Sequence, residues 1–284
     1  MIAFSPAAFT PELLSKYIAL FSACFPGSDK FSLPYLRWLY CDNPAGSAIG
    51  FDAWDGEHLA GHYICVPAYA SANGVRIKTM LSLNTATHPA YQGKGLFTQL
   101  AERTYAAAAA AGIASVHGVA NANSTPGFVR KLGFQLIEPL RACIGFGGLH
   151  TDYTRHTQEI SFVRDWSPDT LAWRCANPAN RVRHRLQGDL VQFSARGHNS
   201  LLSAYAELPA RGIAMPDDAP FTSPGARLFL GLIPDHARRF HFYADIPRRL
   251  RPSPLNFIYR SLSDHAASVE KGNIGLTFLD FDAY

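Results

Sequence analysis

The spacing of apolar side chains changes period several times along the chain, and each change predicts an element. Leu13, Leu14, Tyr17, Ile18 and Phe21 recur three and four apart, behind Thr10 as an N-cap and Pro11 at the first helical position. That is the signature of a helix with one buried stripe. A second, short helix is expected over 34–40, stopping near Asn43-Pro44. Strands are predicted over 48–54, 59–70 and 76–87, joined by the hairpin signals Asp55-Gly56 and Asn73-Gly74. The period then lengthens again. Residues 96–111 predict a helix ending at Gly112, a natural C-terminal cap, and 114–120 a short apolar strand. Thr125-Pro126 opens another short helix that ends at Gly133. A further strand is expected from Phe134, with 144–148 at its end. At the far end, 278–284 alternates apolar and acidic residues, which predicts a half-buried strand. Asp280 and Asp282 would share one face of it, to hold an ammonium group or to meet water. The fold class is α/β, built on a mixed sheet in the α+β manner.

Composition narrows the class. Of 284 residues, 48% are hydrophobic and 17% charged, which is a folding composition and not a disordered one. No apolar run approaches the roughly 20 residues that cross a bilayer. No basic stretch followed by an apolar core opens the chain. A cytoplasmic protein without a membrane partner is expected. The net charge of +4 comes without a dense basic stripe, so no nucleic-acid partner is expected. Cys24, Cys41, Cys65, Cys143 and Cys175 stand singly with no CxxC, against a disulfide framework or a structural zinc, and no metal is expected. Monomer and homodimer both stay open.

Residues 150–170 are polar and set the expected boundary between a domain over 1–149 and a second over 150–284. The second half echoes the first. Trp38 precedes Asn43-Pro44, and Trp173 precedes Asn177-Pro178, with one residue fewer between. Duplication of a structural unit explains such an echo, and chance competes with it.

The segment richest in chemistry is 87–98, where a strand ends, Gln92-Gly93-Lys94-Gly95 turns, and a helix begins. Unpaired N–H groups at a helix start converge on one place, and the helix dipole adds positive charge there. Glycines let an anion come close to the main chain, so the loop predicts a pyrophosphate cradle. Its spacing is neither GxxxxGK[ST] nor GxGxxG.

Gln92-Gly93-Lys94-Gly95-Leu96-Phe97 resembles the Gln/Arg-x-x-Gly-x-Gly/Ala signature of the GNAT (GCN5-related N-acetyltransferase) superfamily, with Phe97 in place of the last small residue. His88-Pro89-Ala90-Tyr91 is similar to the family's Pro-x-Tyr lead-in, and Arg130-Lys131-Leu132-Gly133-Phe134 to its second motif, Tyr-x-Lys-x-Gly-Phe. The resemblance covers roughly residues 1–146. It implies a GNAT fold in the N-terminal half, followed by a degenerate GNAT-like unit that lacks the cofactor loop.

The resemblance also implies roles. Gln92, Gly93, Lys94, Gly95, Leu96, Phe97 and Thr98 would form the pyrophosphate site of acetyl-CoA or another acyl-CoA. Thr85, Ala86 and Thr87 would bond its pantetheine arm as a neighbouring strand does, and Asn121, Asn123 and Phe128 would meet it from the other side. Asn121 and Asn123 equally suit a plain turn. The family's tyrosine acid falls on Val129, so that acid is missing; Ser124 is a candidate, or a helix cap. His117 is the candidate base, with a packed core histidine as the alternative. Asn84 would orient substrate, or pair within the sheet; His62 and Tyr63 would line the cleft, or be ordinary strand residues.

The implied activity is N-acyl transfer from acyl-CoA to a primary amine of a small molecule. The two-part chain looks like acyltransferases of bacterial surface-sugar pathways, which makes an amino sugar, free or nucleotide-linked, the leading acceptor. The arginines at 238, 239, 248, 249 and 251 would meet an anionic part of it, or form a solvated surface. The alternatives are a non-catalytic regulatory module that binds coenzyme A or another ligand, and aminoacyl transfer from a charged tRNA. The intact loop argues against the second.

Overall fold

Local capping fixes the first helices. Thr10 Oγ1 accepts the Leu13 N–H at 3.4 Å to start α1 (Pro11–Cys24), and Ser32 Oγ accepts the Tyr35 N–H at 3.4 Å to start α2 (Leu33–Tyr40). The molecule is described by a computed structural model over residues 1–153, 160–197, 202–213, 225–251, 253–263 and 268–282. Among these, no helix is long and apolar enough to cross a membrane.

A strand not foreseen in the sequence, β1 (Ile2–Pro6), precedes α1 and pairs with β2 (Ile49–Asp55). The expected hairpins follow as β3 (His58–Ala72) and β4 (Val75–Thr87). Next come α3 (Leu96–Ala110), β5 (Ser115–Asn121) and α4 (Thr125–Lys131). The single strand expected from Phe134 is two, β6 (Gln135–Pro139) and β7 (Arg141–Gly145), and they belong to different sheets. The chain continues through β8 (Phe162–Arg164), α5 (Pro168–Cys175), β9 (Arg183–Gln187), β10 (Leu190–Arg196), β11 (Leu202–Pro209), β12 (Ala226–Gly231), β13 (Tyr243–Asp245), β14 (Leu255–Ser261) and β15 (Ile274–Gly275).

The first sheet runs β1-β2-β3-β4-β5-β14-β6, with β8 beside β3 and β15 beside β8; the second runs β13-β7-β12-β11-β10-β9. A cut at 149/150 does not separate the sheets. β7, from the first half, pairs with β12 and β13, and β14, from the second half, sits between β5 and β6. The polar stretch 150–170 is no linker either, because β8 adds to β3 with Ala72 opposite Phe162.

Both sheets repeat one scheme. β2-β3-β4 and β9-β10-β11 are antiparallel meanders. β4 and β11 each make a parallel step, to β5 and β12. Each of those is flanked by an antiparallel strand from the other half of the chain, β14 or β7. In the first sheet α3 packs on one face, with Leu100, Tyr105 and Ala108 against Tyr63, Met80 and Val116. Helices α1 and α2 cover the opposite face over β3, through Tyr17, Leu36 and Ile64.

The Trp/Asn-Pro echo meets itself in space. Trp38 and Trp173 stand at the same offset from their serine N-caps, Ser32 and Ser167, on helices of 8 residues each. Their rings stack at 4.8 Å and 18°. Each indole N–H donates to the other's backbone carbonyl, at 2.8 and 2.9 Å. Asn43 and Asn177 close matching turns, accepting the N–H of Ala45 and Ala179 at 3.1 and 3.0 Å.

The expected C-terminal strand is instead a 3₁₀ turn, Phe278–Asp280. Thr277 and Asp280 cap each other, which bends the chain where alternation alone suggests extension. Asp280 is buried under the Trp166 indole N–H, and Asp282 pairs with Lys30 at 2.5 Å and with Tyr35. Both acids are held within the protein. Residues 283 and 284 lie outside the described residues.

The tryptophan pair makes a graded prediction. Trp173→Phe keeps a ring but strips the hydrogen bond from the Trp38 carbonyl, an expected loss of about 1–2 kcal/mol. Trp173→Ala also loses the stack and leaves a void, an expected loss of about 3–5 kcal/mol. Urea unfolding midpoints of the two variants, taken with the wild type, measure both.

Candidate functional site

β4 and β5 are paired for only a short stretch. The parallel register runs from Thr79 opposite Ser115 to Leu81 opposite His117, and then ends. Both strands continue, β4 to Thr87 and β5 to Asn121, so a wedge opens between 82–87 and 118–121. β5 is still held on its other side by β14 along its whole length.

A bulge in β4 shapes one wall of the wedge. His62 faces Ala86 and Ile64 faces Leu83, so Asn84 and Thr85 together oppose Tyr63. Asn84 takes φ +46°, a left-handed conformation that asparagine tolerates better than most residues. The extra residue interrupts the ladder and turns polar backbone groups out of it. Ala86 is buried, while Thr85 and Thr87 are half-buried along the same wall.

The glycine loop lies where β4 ends. Pro89–Tyr91 forms a 3₁₀ turn capped by His88, whose Nδ1 accepts the Ala90 N–H at 3.3 Å. Tyr91 donates to Asp55 at 3.1 Å, and the Lys94 ammonium sits 4.7 Å from the Tyr91 ring centroid. Gly93 and Gly95 have φ +78° and +72°. A Cβ on Gly93 would meet nothing within 4 Å, so conformation and not crowding requires glycine there. Gly95 is the N-cap of α3 and offers no side chain, leaving the N–H groups of Leu96, Phe97 and Thr98 without a side-chain cap. Gln92, Gly93, Lys94 and Gly95 are exposed. The loop thus presents uncapped donors at the positive end of a 15-residue helix, beside the wedge.

Phe97 has a local reason. Its ring packs edge-on to Phe128 at 5.2 Å and to Tyr63 at 6.3 Å. A Cβ on Gly127 would lie 3.0 Å from that ring. Gly127 on α4 thus leaves the space that the Phe97 ring on α3 fills. Phe128 is buried in this cluster, and Val129 is half-buried.

The remaining expected residues divide. Asn121 Oδ1 accepts the N–H groups of Asn123 and Ser124, both at 3.0 Å, and Ser124 Oγ bonds back to Asn121. These side chains hold the turn after β5 closed, which is the turn alternative weighed for them; Asn123 is exposed beside it. Neither Asn121 nor Ser124 has its side chain turned into the wedge as a free group. Ser253 and Asn256, from the second half, brace the same turn through Ala122 and Thr125.

His117 does not sit in the wedge. It is fully buried at the last paired step, opposite Leu81, between the rings of Phe162 and Phe257 at 5.0 and 6.4 Å. Its Nδ1 lies 3.2 Å from Thr79 Oγ1, and Nε2 has no partner among the described residues. Burial, aided by the nearby Arg164 guanidinium, pushes its pKa well below the usual value. A base needs access to the proton it removes, and this imidazole is a core group.

Sequence reasoning named Asn84 and His62 but missed the cluster that they form with Tyr40 and Asp52. Asn84 Nδ2 donates to the Tyr40 hydroxyl at 2.9 Å. That hydroxyl lies 3.2 Å from His62 Nε2, and His62 Nδ1 lies 2.6 Å from Asp52. His62, Asp52 and Tyr40 are at most 1% exposed, while Asn84 is half-buried at the wedge. The available signal was alternation, which puts His62 on the α1/α2 face with Ile64 and Val66. On the α3 face, the Tyr63 hydroxyl lies 2.7 Å from Ser82 Oγ and 2.6 Å from the Tyr105 hydroxyl.

The comparisons agree with this geometry. A family model described as an acetyltransferase (GNAT) domain matches residues 7–137. No curated protein matches the chain. Among solved structures, a probable N-acyltransferase of Enterococcus faecalis V583 superposes with a TM-score of 0.60 at 10% identity, over 92% of this chain and 73% of that one. A GCN5-related N-acetyltransferase from Anabaena variabilis gives 0.58 at 12% identity, over 92% and 73%. Eis1 from Mycobacterium abscessus gives 0.58 at 8% identity, over 92% and 74%. At such identities these likenesses concern the fold. Family match, bulge and glycine loop coincide over one stretch of sequence: residues 7–137 match a GNAT acetyltransferase domain, and the fold of the chain is shared with the three solved structures.

Proposed function

We propose that the chain moves an acetyl or larger acyl group from an acyl-CoA to the primary amine of a small molecule, with an amino sugar, free or nucleotide-linked, as the leading acceptor. The observation that carries this reading is the uncapped start of α3 beside an open wedge. A pyrophosphate fits the loop because Gly93 and Gly95 expose backbone N–H groups with no side chain over them. A thioester bound there supplies the activated acyl group. The N–H groups of Gly95 to Thr98 hold the diphosphate, and the wall at Thr85–Thr87 lies along the arm. Backbone donors freed by the bulge at Asn84 and Thr85 polarise the acyl carbonyl. The α3 side is taken by that arm, so the amine approaches from the α1/α2 side, where Asn84 is half-buried.

The chain is read as two units of one ancestry. The matching sheet schemes and the tryptophan pair support this. The connection from β11 to β12, residues 210–225, is shorter than the one from β4 to β5, residues 88–114. The second unit also pairs β10 with β11 in one continuous register, without the bulge.

Coenzyme A at a hundred times its Kd is expected to stabilise the fold by about 2.7 kcal/mol, read as a rise in Tm. Gly95→Asp places a side chain at φ +72° and a negative charge in the cradle, and should abolish that rise. Stabilisation that survives in the variant would remove the loop from the site. Thiol release from acetyl-CoA with a panel of amines tests the chemistry. Release on adding an amino sugar supports transfer, and coenzyme A binding without release for any amine supports the regulatory module.

His117 carries a prediction about stability. Its folded pKa is depressed, so below about pH 6.5 the unfolded chain takes up a proton that the folded chain refuses. Stability gained above that pH is lost as the pH falls, at up to about 1.4 kcal/mol per pH unit. In His117→Gln the slope of unfolding free energy against pH should be shallower by one proton over pH 5–6.5, and turnover should stay within about tenfold of wild type. A loss of a hundredfold or more in turnover, with the fold intact, would return His117 to the reaction.

A further inference from the structure

Four buried side chains and one at the wedge form a single chain of hydrogen bonds, and the Nδ1–H tautomer of His62 sets the direction of the bonds to Tyr40 and Asn84. Asp52, on β2, is a carboxylate and only accepts. One oxygen lies 2.7 Å from the Tyr17 hydroxyl, which also faces the Ala8 carbonyl at 2.9 Å, and the other meets His62 Nδ1 at 2.6 Å. Facing the carboxylate, Nδ1 carries a proton, and in that Nδ1–H tautomer Nε2 accepts. The Tyr40 hydroxyl, 3.2 Å from Nε2, has one proton and gives it to that nitrogen. Its oxygen is left to accept. The group of Asn84 that faces it at 2.9 Å must then be the NH₂, and Asn84 Oδ1 is turned away from Tyr40.

We infer that Tyr40, His62 and Asp52 are positioning residues that fix the Asn84 carboxamide with its oxygen toward the wedge, where it accepts a hydrogen bond from the amine that receives the acyl group. The inference rests on acyl transfer at the wedge. A neutral amine has N–H donors and one lone pair. Binding one N–H to Oδ1 turns the lone pair toward the acyl carbon, whereas an NH₂ in the same place would set donor against donor. The amide has two nearly isosteric orientations, and Asn84 alone cannot choose between them. The carboxylate chooses, through His62 and Tyr40. The left-handed bulge gives the side chain its reach to Tyr40 on α2 while its backbone lines the wedge. His62 is enclosed by Tyr17 stacked at 4.0 Å and by Phe21 edge-on at 5.7 Å, so the ring cannot flip without displacing α1.

Two measurements on the full-length protein decide this. In ¹⁵N-labelled protein at pH 8, long-range imidazole spectra, with His62 assigned by its loss in His62→Gln, should show the neutral Nδ1–H tautomer. An Nε2–H tautomer reverses the bonds from His62 through Tyr40 to Asn84 and overturns the inference. In kinetics, Tyr40→Phe keeps the ring volume and removes only the hydroxyl. It should raise KM for the amine about tenfold, the worth of one oriented hydrogen bond, with kcat within about threefold and stabilisation by coenzyme A unchanged. Asn84→Ala should raise the amine KM similarly, and the double variant should be no worse than either single one. A wild-type amine KM in Tyr40→Phe also overturns the inference. Should the wild-type protein release no thiol with any amine, acyl transfer fails as the reading, and the tautomer still decides the orientation of the amide.

Discussion

The antiparallel ladder between β5 and β14 is the constraint on which the wedge depends. β5 parts from β4 after Leu81 and His117, so its edge toward β4 has no ladder beyond that point. A strand with both edges bare would fray or seek another chain. Here the opposite edge is paired from Ser115 with Ser261 to Asn121 with Leu255. The strand that supplies this pairing comes from the far half of the chain. β7 is given in exchange to the second sheet, beside β12. The two halves are thus tied by backbone hydrogen bonds in both directions, and the open wedge is stable because its far side is closed.

What could be read from the sequence follows from how local each cause is. Helices α1 and α2 carry their caps beside them at Thr10 and Ser32, and α3 starts at a glycine whose positive φ is required at the loop itself. The hairpins at Asp55-Gly56 and Asn73-Gly74 are local as well. β1, β8 and β14 were not legible, because each is a strand only by virtue of a partner far along the chain. The same holds for 134–148, where nothing within the segment says that β7 leaves the sheet that β6 keeps. At 278–282 the alternation was real, but a capping box between Thr277 and Asp280 outweighs it locally.

The site divides on the same principle. The loop from Gln92 to Thr98 and the wall from Thr85 to Thr87 could be placed from strand, glycine and helix in succession. His117 was misplaced because a count along β5 cannot tell the last paired residue from the first free one, and the face it points to is covered by Phe162 and Phe257 from beyond residue 150. Ser124 and Asn121 were ambiguous between ligand and turn, and the hydrogen bonds between them favour the turn. Asp52, His62 and Tyr40 lie on three elements and come together only through the packing of α1 and α2 on the sheet.

The second sheet repeats the parting of two parallel strands. β11 and β12 are parallel for the same short stretch, from Leu202 opposite Ala226 to Ala204 opposite Leu228, and then part. Matching these pairs to those of β4 and β5 puts Glu207 where Asn84 stands. Its carboxylate accepts from the Tyr205 hydroxyl at 2.6 Å and from the Leu149 N–H at 3.2 Å. The Tyr153 hydroxyl reaches the Glu207 carbonyl at 3.1 Å, and Leu149 is fully buried. Residues 148–153 thus lie against this wall and take up Glu207 Oε1 and the Glu207 carbonyl, while Oε2 has no partner among the described residues. The same parallel step leaves a gap in both sheets. Where a bulge and a glycine-started helix border it, the gap stays open with donors facing in. Where the bulge is missing, backbone and the buried Leu149 lie against the gap and satisfy part of its polar surface.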